Sequence, residues 1–446
     1  MKKFYDRVDE LSLLAKADKL KDKRSIMSVI IGRRRVGKTA LILQDFSNSK
    51  KLYFFVSKKS ERLLVEEFTQ EVKEKLNIKI FGEIKSFEKL FEYLLELSKE
   101  MPFTLVIDEF QDFYKVNESI FSSMQKLWDL NKDSSHMHLI LSGSVYSLMK
   151  KIFQNAKEPL FARADFKIDL KPFNPMVLKE ILQDYNAYNA TNLLDFYTIS
   201  GGVAKYIELF VLYESFSQDS MIDEIFQENS LFLDEGKNRL IEEFGKEYSV
   251  YFSILSLIAS SKTSKSEIES VLEKNISGYL ERLHKDYNII KPIKPIGAKV
   301  NSKLQKYEIV DNFLSFWFRF IYKYQSYIES KNFALLKQIV RRDFSTYKGR
   351  FLEKLFIEIF KDSKEFTQVD SYWERGNKNE IDIVALNELT KKMIICEVKL
   401  NKEKLNLNEL IFKSKKLVDK FKDYEVEYEL LSLDDIDRYM QMGYVD

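Results

Sequence analysis

Residues 32–39 read GRRRVGKT and lie between a β-branched run, SIMSVII, and a helix-like stretch, TALILQDF. The pattern G-x-x-x-x-G-K-[ST] between a strand and a helix is typical of a loop whose backbone N–H groups bind phosphate oxygens. It predicts that Lys38 reaches the β- and γ-phosphates of ATP and that Thr39 ligates Mg²⁺. The residues predicted to bind the nucleotide are Gly32, Arg33, Arg34, Arg35, Val36, Gly37, Lys38, Thr39 and Ala40.

Strand-like and helix-like segments alternate through the first half of the chain, which predicts a parallel sheet covered by helices. One of the strand runs, FTLVIDEF, ends in Asp108 and Glu109. We expect Asp108 to hold Mg²⁺ and Glu109 to polarise the water that attacks the γ-phosphate. Adjacent carboxylates favour hydrolysis over binding alone. Ser142, at the end of HLILSGS, is predicted either to contact the γ-phosphate or the water, or simply to end its strand.

Composition limits the remaining choices. The 446 residues suggest about three domains. Lysine and arginine (71) nearly balance aspartate and glutamate (69), so the net charge of +2 does not decide whether the partner is nucleic acid. The single cysteine, Cys396, excludes an intramolecular disulfide. With no signal-peptide pattern and no apolar stretch near the ~20 residues of a membrane span, we expect a soluble cytoplasmic protein that does not contact a membrane.

Five motifs carry a family resemblance: FYDRVDEL, IGRRRVGKTALI, FTLVIDEFQDF, LILSGSVYSLM and ISGGVAKYIELF. In this order they resemble the archaeal-type ATPase family, a branch of the AAA+-related P-loop proteins. The resemblance implies an ATPase core over residues 1–175 and a helical lid over 176–246. It also implies a role beside the adenine for Asp6 and Arg7. The family usually has proline at the position of Ala204, which leaves the lid geometry open.

Arg163 lies in the stretch EPLFARADFKIDLKPF. This stretch is similar to the part of the family in which an arginine approaches the nucleotide of a neighbouring subunit or domain. The resemblance therefore makes Arg163 a candidate arginine finger, with an ordinary surface arginine as the alternative. An arginine that acts on a neighbouring subunit would require a homo-oligomer, and a protein partner is equally compatible with the sequence.

Residues 247–325 read as three helices followed by two strands, the order of a winged helix, and members of the resembled family carry such a module. Clustered lysines attract the phosphate backbone of DNA, whatever its base sequence. The alternative is a solvated hairpin or a protein contact. The clustered lysines fall in one short window of this segment, against Asp286 alone, and are Lys285, Lys291, Lys294, Lys299, Lys303 and Lys306.

Residues 326–446 read as α-β-β-β-α-β, and with acids at fixed places they resemble the PD-(D/E)XK nuclease superfamily. The resemblance matches Asp382 to the first motif acid, Glu397 and Lys399 to E-x-K, and Glu353 to the acid of the preceding helix. Asp382 and Glu397 would share one Mg²⁺, while Lys399 would position or deprotonate a water. The alternative is an exposed ion pair on a fold that does not cleave. A second basic group, opposed mainly by Asp343, could attract DNA, with ordinary surface solvation as the alternative. Its members are Lys331, Lys337, Arg341, Arg342, Lys348 and Arg350.

Together these features predict a multidomain α/β protein: a P-loop sheet with a helical lid, a winged helix and a small nuclease-like domain. The first functional hypothesis is a Mg²⁺-dependent ATPase coupled to DNA binding or processing, with an endonuclease site in the C-terminal domain. The second is a nucleotide-dependent switch or partner-binding protein whose nuclease-like domain does not cleave.

Overall fold

The computed structural model describes residues 3–44, 50–299, 302 and 304–442. The chain divides into two compact units, one formed by Asp6–Lys171 and the other by Met1–Tyr5 together with Pro172–Asp446. The first unit ends four residues before the predicted end of the ATPase core at residue 175. The segments predicted as lid, winged helix and nuclease-like domain all fall in the second unit. Two residues of the predicted helix TALILQDF, Asp45 and Phe46, lie outside the described residues.

The first unit contains a five-stranded sheet in the order β2-β3-β4-β1-β5, in which every neighbouring pair is parallel. β1, β3 and β4 are buried along their whole length, which explains their continuous apolar sequences. The predicted parallel α/β sheet is therefore confirmed. The strands are β1 (Ile26–Ile31), β2 (Lys51–Phe55), β3 (Phe103–Asp108), β4 (Met137–Gly143) and β5 (Phe166–Asp169).

Helices pack against this sheet through side chains at helical spacing. In the helix that starts at Phe87, the residues Leu90, Phe91 and Leu94 are buried, and Ser86 caps the first turn by accepting from the Lys89 N–H. The helices of this unit are α1 (Val8–Leu20), α2 (Lys38–Ile42), α3 (Glu61–Leu76), α4 (Phe87–Leu97), α5 (Phe113–Val116), α6 (Ser119–Asn131) and α7 (Tyr146–Gln154).

The second unit starts with a helical segment where the lid is predicted, and its role as a lid stays a prediction. Gly202 has φ +73°, and a Cβ there would lie 2.0 Å from the Phe173 carbonyl oxygen, so the turn requires glycine. Ala204 is the first residue of the next helix, a position that proline and alanine both tolerate. The helices are α8 (Pro175–Asp184), α9 (Ala190–Ser200), α10 (Ala204–Leu212), α11 (Gln218–Ile225) and α12 (Leu231–Phe244).

Three helices and an antiparallel hairpin follow, in the predicted order. Ile296, three residues after the first hairpin strand, belongs to the core of the C-terminal sheet: it is 1% exposed, packs with Tyr372 and Ile381, and its N–H donates to the Ser371 carbonyl at 3.0 Å. The elements are α13 (Tyr248–Ala259), α14 (Lys265–Leu272), α15 (Ser277–Lys285), β6 (Ile290–Ile293) and β7 (Lys306–Ile309).

The C-terminal part contains a four-stranded sheet in the order β11-β10-β9-β8, with β10 and β11 parallel and the other pairs antiparallel. The predicted order α-β-β-β-α-β is confirmed, although its first helix, α18, starts earlier and spans 30 residues. The elements are α16 (Asn312–Phe316), α17 (Gln325–Glu329), α18 (Phe333–Asp362), β8 (Gln368–Tyr372), β9 (Ile381–Asn387), β10 (Lys392–Val398), α19 (Leu407–Val418), β11 (Glu425–Leu431) and α20 (Ile436–Met442).

Within the part of the chain that the structure describes, no helix is both long and apolar enough to cross a membrane.

We expect Ile296→Ala to lower the free energy of unfolding of the second unit by about 2–5 kcal/mol, because it leaves a cavity in the sheet core. Leu389→Ala is the matched control: Leu389 is 90% exposed on a turn, and its removal should change the free energy by no more than about 0.5 kcal/mol. Denaturant titration followed by tryptophan fluorescence measures both, since Trp317 and Trp373 lie in this unit. Equal effects of the two substitutions would contradict the packing of Ile296 in the sheet core.

Candidate functional site

The loop after β1 has the backbone conformation that its glycines allow. Gly37 has φ +98° and Arg35 has φ +71°, both in the left-handed region. A Cβ on Gly32 would lie 2.9 Å from the Leu170 carbonyl oxygen, so the close approach of the loop to the end of β5 excludes a side chain. Successive backbone N–H groups in such a loop form a concave site for an anion.

Lys38 and Thr39, the first two residues of α2, lie at this loop and beside β3 respectively. The Lys38 ammonium donates to the carbonyl oxygens of Gly32 (2.8 Å) and Arg33 (3.0 Å), which holds it over the loop. The Thr39 hydroxyl donates to Asp108 Oδ2 at 3.3 Å. The fold thus places the predicted phosphate-binding and metal-binding residues together, although they lie 69 positions apart in the sequence.

Asp108 is buried at the end of β3 and accepts three hydrogen bonds. Besides Thr39, the Tyr53 hydroxyl donates to Oδ2 at 2.5 Å and the Glu109 N–H donates to Oδ1 at 3.0 Å. Burial and the adjacent Asp108 raise the pKa of Tyr53, so the phenol stays a donor at neutral pH. Sequence reasoning missed Tyr53, because its strand shows no motif and only the pairing of β2 with β3 brings it near Asp108.

Glu109 lies beyond β3 with φ +52°, and its carboxylate is held by two side chains that the sequence analysis missed. Gln111 Nε2 donates to Glu109 Oε2 at 2.6 Å, and the Ser144 hydroxyl donates to the same oxygen at 2.7 Å. Ser142, predicted to contact the γ-phosphate or the water or simply to end its strand, is fully buried near the end of β4, and its hydroxyl has no hydrogen-bond partner among the described residues. The signal available in the sequence was Ser144, which lies two positions after Ser142 and just past the end of β4.

The other predicted nucleotide contacts lie around the loop. Arg35 and Ala40 are exposed and Arg34 is partly buried, whereas Val36 is buried. The Arg33 guanidinium lies 5.8 Å from the Tyr146 ring centroid at the start of α7.

Arg7 and Arg163 both have close partners. Arg7 is 5% exposed, and its Nη2 donates to the carbonyl oxygens of Lys171 (2.7 Å) and Val36 (3.4 Å), while Asp6 beside it is exposed. Arg163 pairs with Asp129 at 3.0 Å. A role as arginine finger would require this ion pair to break, and that role stays a prediction.

A second polar site lies in the C-terminal sheet. Asp382 on β9 and Glu397 on β10 are 8% and 7% exposed. Lys399, just after β10, places its ammonium 3.1 Å from Asp382 Oδ2 and 3.0 Å from Glu397 Oε1. The Val398 N–H also donates to Asp382 Oδ2 at 2.8 Å. The two carboxylates therefore face the same lysine.

Glu353 on α18 interacts electrostatically with Asp382, Glu397 and Lys399. Burial, and then the charge of Asp382, raise the pKa of Glu353 well above its usual range, while Lys399 opposes the shift. Burial also raises the pKa of Asp382 against the opposing effect of Lys399. Burial alone would lower the pKa of Lys399. The adjacent carboxylates of Asp382 and Glu397 outweigh burial, so the pKa of Lys399 is raised. The site therefore favours holding protons or another cation.

Glu397 has a second basic neighbour, Lys413 on α19, which sequence analysis missed. Its ammonium lies 3.4 Å from Glu397 Oε1 and 2.8 Å from Glu409. Glu397 Oε2 is buried and has no hydrogen-bond partner among the described residues. In the same residues, no group of three or more histidine, cysteine, aspartate or glutamate side chains is arranged to hold a metal ion by itself.

The two basic groups predicted to attract DNA are largely compensated by acids. In the hairpin, Lys354 and Lys291 outweigh burial and lower the pKa of Glu308 to about 2. The sequence analysis counted charges along the chain and missed the acids that folding supplies from α9 and α11. Lys303 lies outside the described residues. The pairs are Lys285–Glu281, Lys291–Glu308, Lys306–Glu380, Lys331–Glu228, Lys337–Asp223, Arg341–Asp219, Arg342–Asp343 and Lys348–Asp195.

A parallel sheet with a glycine loop before α2 and an Asp-Glu pair at the end of β3 defines a P-loop ATPase. Residues 4–210 match a family model described as "ATPase domain predominantly from Archaea". Residues 317–411 match a second model, described as "Archaea bacterial proteins of unknown function". The chain therefore carries an ATPase domain of this archaeal family, joined to a C-terminal domain of the second family. The family resemblance of the sequence motifs is confirmed, and the protein is an ATP hydrolase.

Two similar proteins match this chain over nearly the whole of their own length. An uncharacterized protein of Methanocaldococcus jannaschii is 28% identical over 446 residues, which cover 98% of this chain and 94% of that protein. A Walker-type ATPase of Pyrococcus abyssi has 19% identity and a TM-score of 0.54, covering 71% of this chain and 96% of that one. The second likeness shows the fold alone.

We expect Glu109→Gln to lower the kcat of ATP hydrolysis by about 10²–10⁴-fold, because the amide cannot accept the proton of the attacking water. ADP affinity should stay at the wild-type value, since Lys38 and the loop are unchanged. Asp112→Asn, three residues away and paired with Lys115, is the control and should keep the wild-type rate. Steady-state phosphate release measures both. Normal turnover by Glu109→Gln would remove Glu109 as the base.

Proposed function

We propose that this ATPase is Mg²⁺-dependent, that it acts on DNA, and that the C-terminal site cleaves phosphodiester bonds with the help of a divalent metal. One observation carries the nuclease proposal: two buried carboxylates, Asp382 and Glu397, converge on the Lys399 ammonium. This is the arrangement that the E-x-K resemblance predicts. Lys399 faces both carboxylates, Lys413 lies beside Glu397 as well, and the Glu353 carboxyl, whose pKa is raised by burial and then by the charge of Asp382, lies in the field of the same group.

The residues fit a small divalent cation. Mg²⁺ keeps several waters and is commonly held by one or two carboxylates. Asp382 and Glu397 would supply these. Glu397 Oε2 is a buried acceptor that lacks a hydrogen-bond partner among the described residues, and its burial costs free energy unless a cation or proton pairs with it. A metal bound here would supply Lewis-acid activation of water and shielding of the phosphate charge.

The side chains of the C-terminal site suggest a division of roles. Because its pKa is raised, Lys399 keeps its proton at neutral pH, which favours stabilisation of developing phosphate charge over acting as a base. Glu353 has a raised pKa and is the side chain best suited to hold and release a proton. Lys413, next to Glu397, adds a second positive charge for a phosphate.

At the ATP site, Thr39 and Asp108 would hold Mg²⁺, Lys38 would neutralise the phosphates and Glu109 would orient the water. We infer that residues 247–325, with three helices and a hairpin, serve as a winged helix that contacts DNA. Because Lys285, Lys291 and Lys306 already pair with acids, DNA must displace these three pairs, and the affinity should be modest and depend on salt.

The same pairing favours a second candidate function. A nucleotide-dependent switch or partner-binding protein would need no free basic surface, and compensated lysines suit such a role. In that case the C-terminal site would retain its fold without cleavage. The two candidates agree on ATP hydrolysis and differ only in what the second unit does with DNA.

Cleavage of supercoiled plasmid and linear DNA with Mg²⁺ or Mn²⁺ separates the candidates. We expect the wild type to nick DNA, and Asp382→Ala and Lys399→Ala to lose about a hundredfold or more of that rate, as expected when several kcal/mol of charge stabilisation are removed. Glu427→Gln, an exposed acid of the same sheet paired with Lys392, is the control and should cleave normally. DNA binding without nicking by any variant would favour a non-cleaving clamp, and no binding at low salt would favour the switch.

Metal binding can be tested without cleavage. A carboxyl whose folded-state pKa is raised favours the protonated form, so the stability it contributes is lost as pH rises through that pKa. Since Asp382 and Glu353 are both shifted upward, a bound cation should replace the protons, and Mn²⁺ should raise Tm more at pH 8 than at pH 6. Calorimetry of the wild type and Asp382→Asn measures this shift. An equal shift in the variant would show that Mn²⁺ binds elsewhere.

A further inference from the structure

Arg7 occupies an unusual place at the entrance of the ATPase unit. The chain enters this unit at Asp6 and leaves it at Lys171. Asp6 and Arg7 have φ values of +57° and +72°, and two consecutive left-handed residues with side chains are rare outside sharp turns. The Arg7 side chain is 5% exposed, next to Glu10 at 3.4 Å. The turn therefore delivers an arginine into the interior of the unit.

One nitrogen of this guanidinium contacts two distant backbone groups. Nη2 donates to the Lys171 carbonyl at 2.7 Å, at the exit of the unit, and to the Val36 carbonyl at 3.4 Å, inside the phosphate loop. Arg7 thus connects the entry of the chain, its exit and the nucleotide loop. Burial lowers the pKa of Arg7, and the neighbouring Glu10 and Asp6 oppose this shift.

The Val36 carbonyl belongs to the same peptide unit as the Gly37 N–H. In a planar trans peptide the C=O and N–H bonds point in opposite directions, and cis peptides are absent from the described residues. By holding the carbonyl on its own side, Arg7 orients the Gly37 N–H to the other side. Arg35 and Gly37, which flank Val36, both have positive φ, so a rotation of this peptide would change the shape of the whole loop.

We propose that Arg7 is a positioning residue that sets the orientation of the Val36–Gly37 peptide for phosphate binding and transmits the nucleotide state of the loop to the chain exit at Lys171. It does so through two backbone carbonyls, those of Val36 and Lys171. Nucleotide binding at the loop then changes the ordering of the two peptide connections, 5–6 and 171–172, through which the ATPase unit is joined to the rest of the chain. The proposal is independent of the nuclease site.

The test uses the full chain with MgADP and measures affinity by calorimetry and backbone protection by hydrogen exchange. In the wild type, MgADP should slow exchange in peptides covering 33–39 and 169–173. We expect Arg7→Ala to weaken MgADP binding about tenfold, as for the loss of a hydrogen bond from a charged group. At saturating MgADP its loop should still be protected, but the response at 169–173 should disappear. Glu10→Gln keeps the guanidinium and should behave as the wild type does.

Arg7→Lys distinguishes positioning from simple filling of space. A lysine keeps the charge but lacks the planar fork, so its MgADP affinity should fall between those of the wild type and Arg7→Ala, with a reduced response at 169–173. If Arg7→Ala does not fold, Arg7→Lys and Glu10→Gln decide the question. Wild-type affinity together with a full response at 169–173 in Arg7→Lys or Arg7→Ala would overturn the proposal.

Discussion

The Asp108 carboxylate joins three separate segments at the end of the parallel sheet. It accepts from Thr39 at the start of α2, from Tyr53 on β2 and from the backbone of Glu109. A buried carboxylate is stable when such donors satisfy it. The positions of the nucleotide loop and of Glu109 depend on this one group, because each lies next to a residue that bonds to it. The predicted ATP site rests on that local geometry.

Much of the fold could be predicted from sequence, because its main signals are local. The glycine loop, the apolar parallel strands and the Asp-Glu pair occupy short stretches whose conformation follows from their own residues. The α-β-β-β-α-β order of the C-terminal part was predictable for the same reason. Ser142 was predicted to contact the γ-phosphate or the water, or simply to end its strand; the strand continues one residue further, and Ser144 is the serine that bonds to Glu109.

What could not be predicted depends on contacts between distant segments. Gln111, Tyr53 and Lys413 carry no motif, and only the folded chain brings them to Glu109, Asp108 and Glu397. The charge of the second unit is the clearest case. Lysines that are dense along the sequence pair with acids from other helices, as Lys348 does with Asp195. Local charge density therefore overestimates the field that a folded surface presents to a polyanion.

The buried Ile296 limits how segments of this chain could be exchanged with those of a relative. With Ile296 in the core that holds Tyr372 and Ile381, the helical segment and the C-terminal sheet share part of one interior. Replacing either segment by the corresponding segment of a relative would disturb this packing, unless Ile296 and the sheet residues around it changed together. The hairpin and the C-terminal sheet would therefore have to be inherited together. A gene fusion that introduced the sheet without its hairpin would leave a cavity at the position of Ile296.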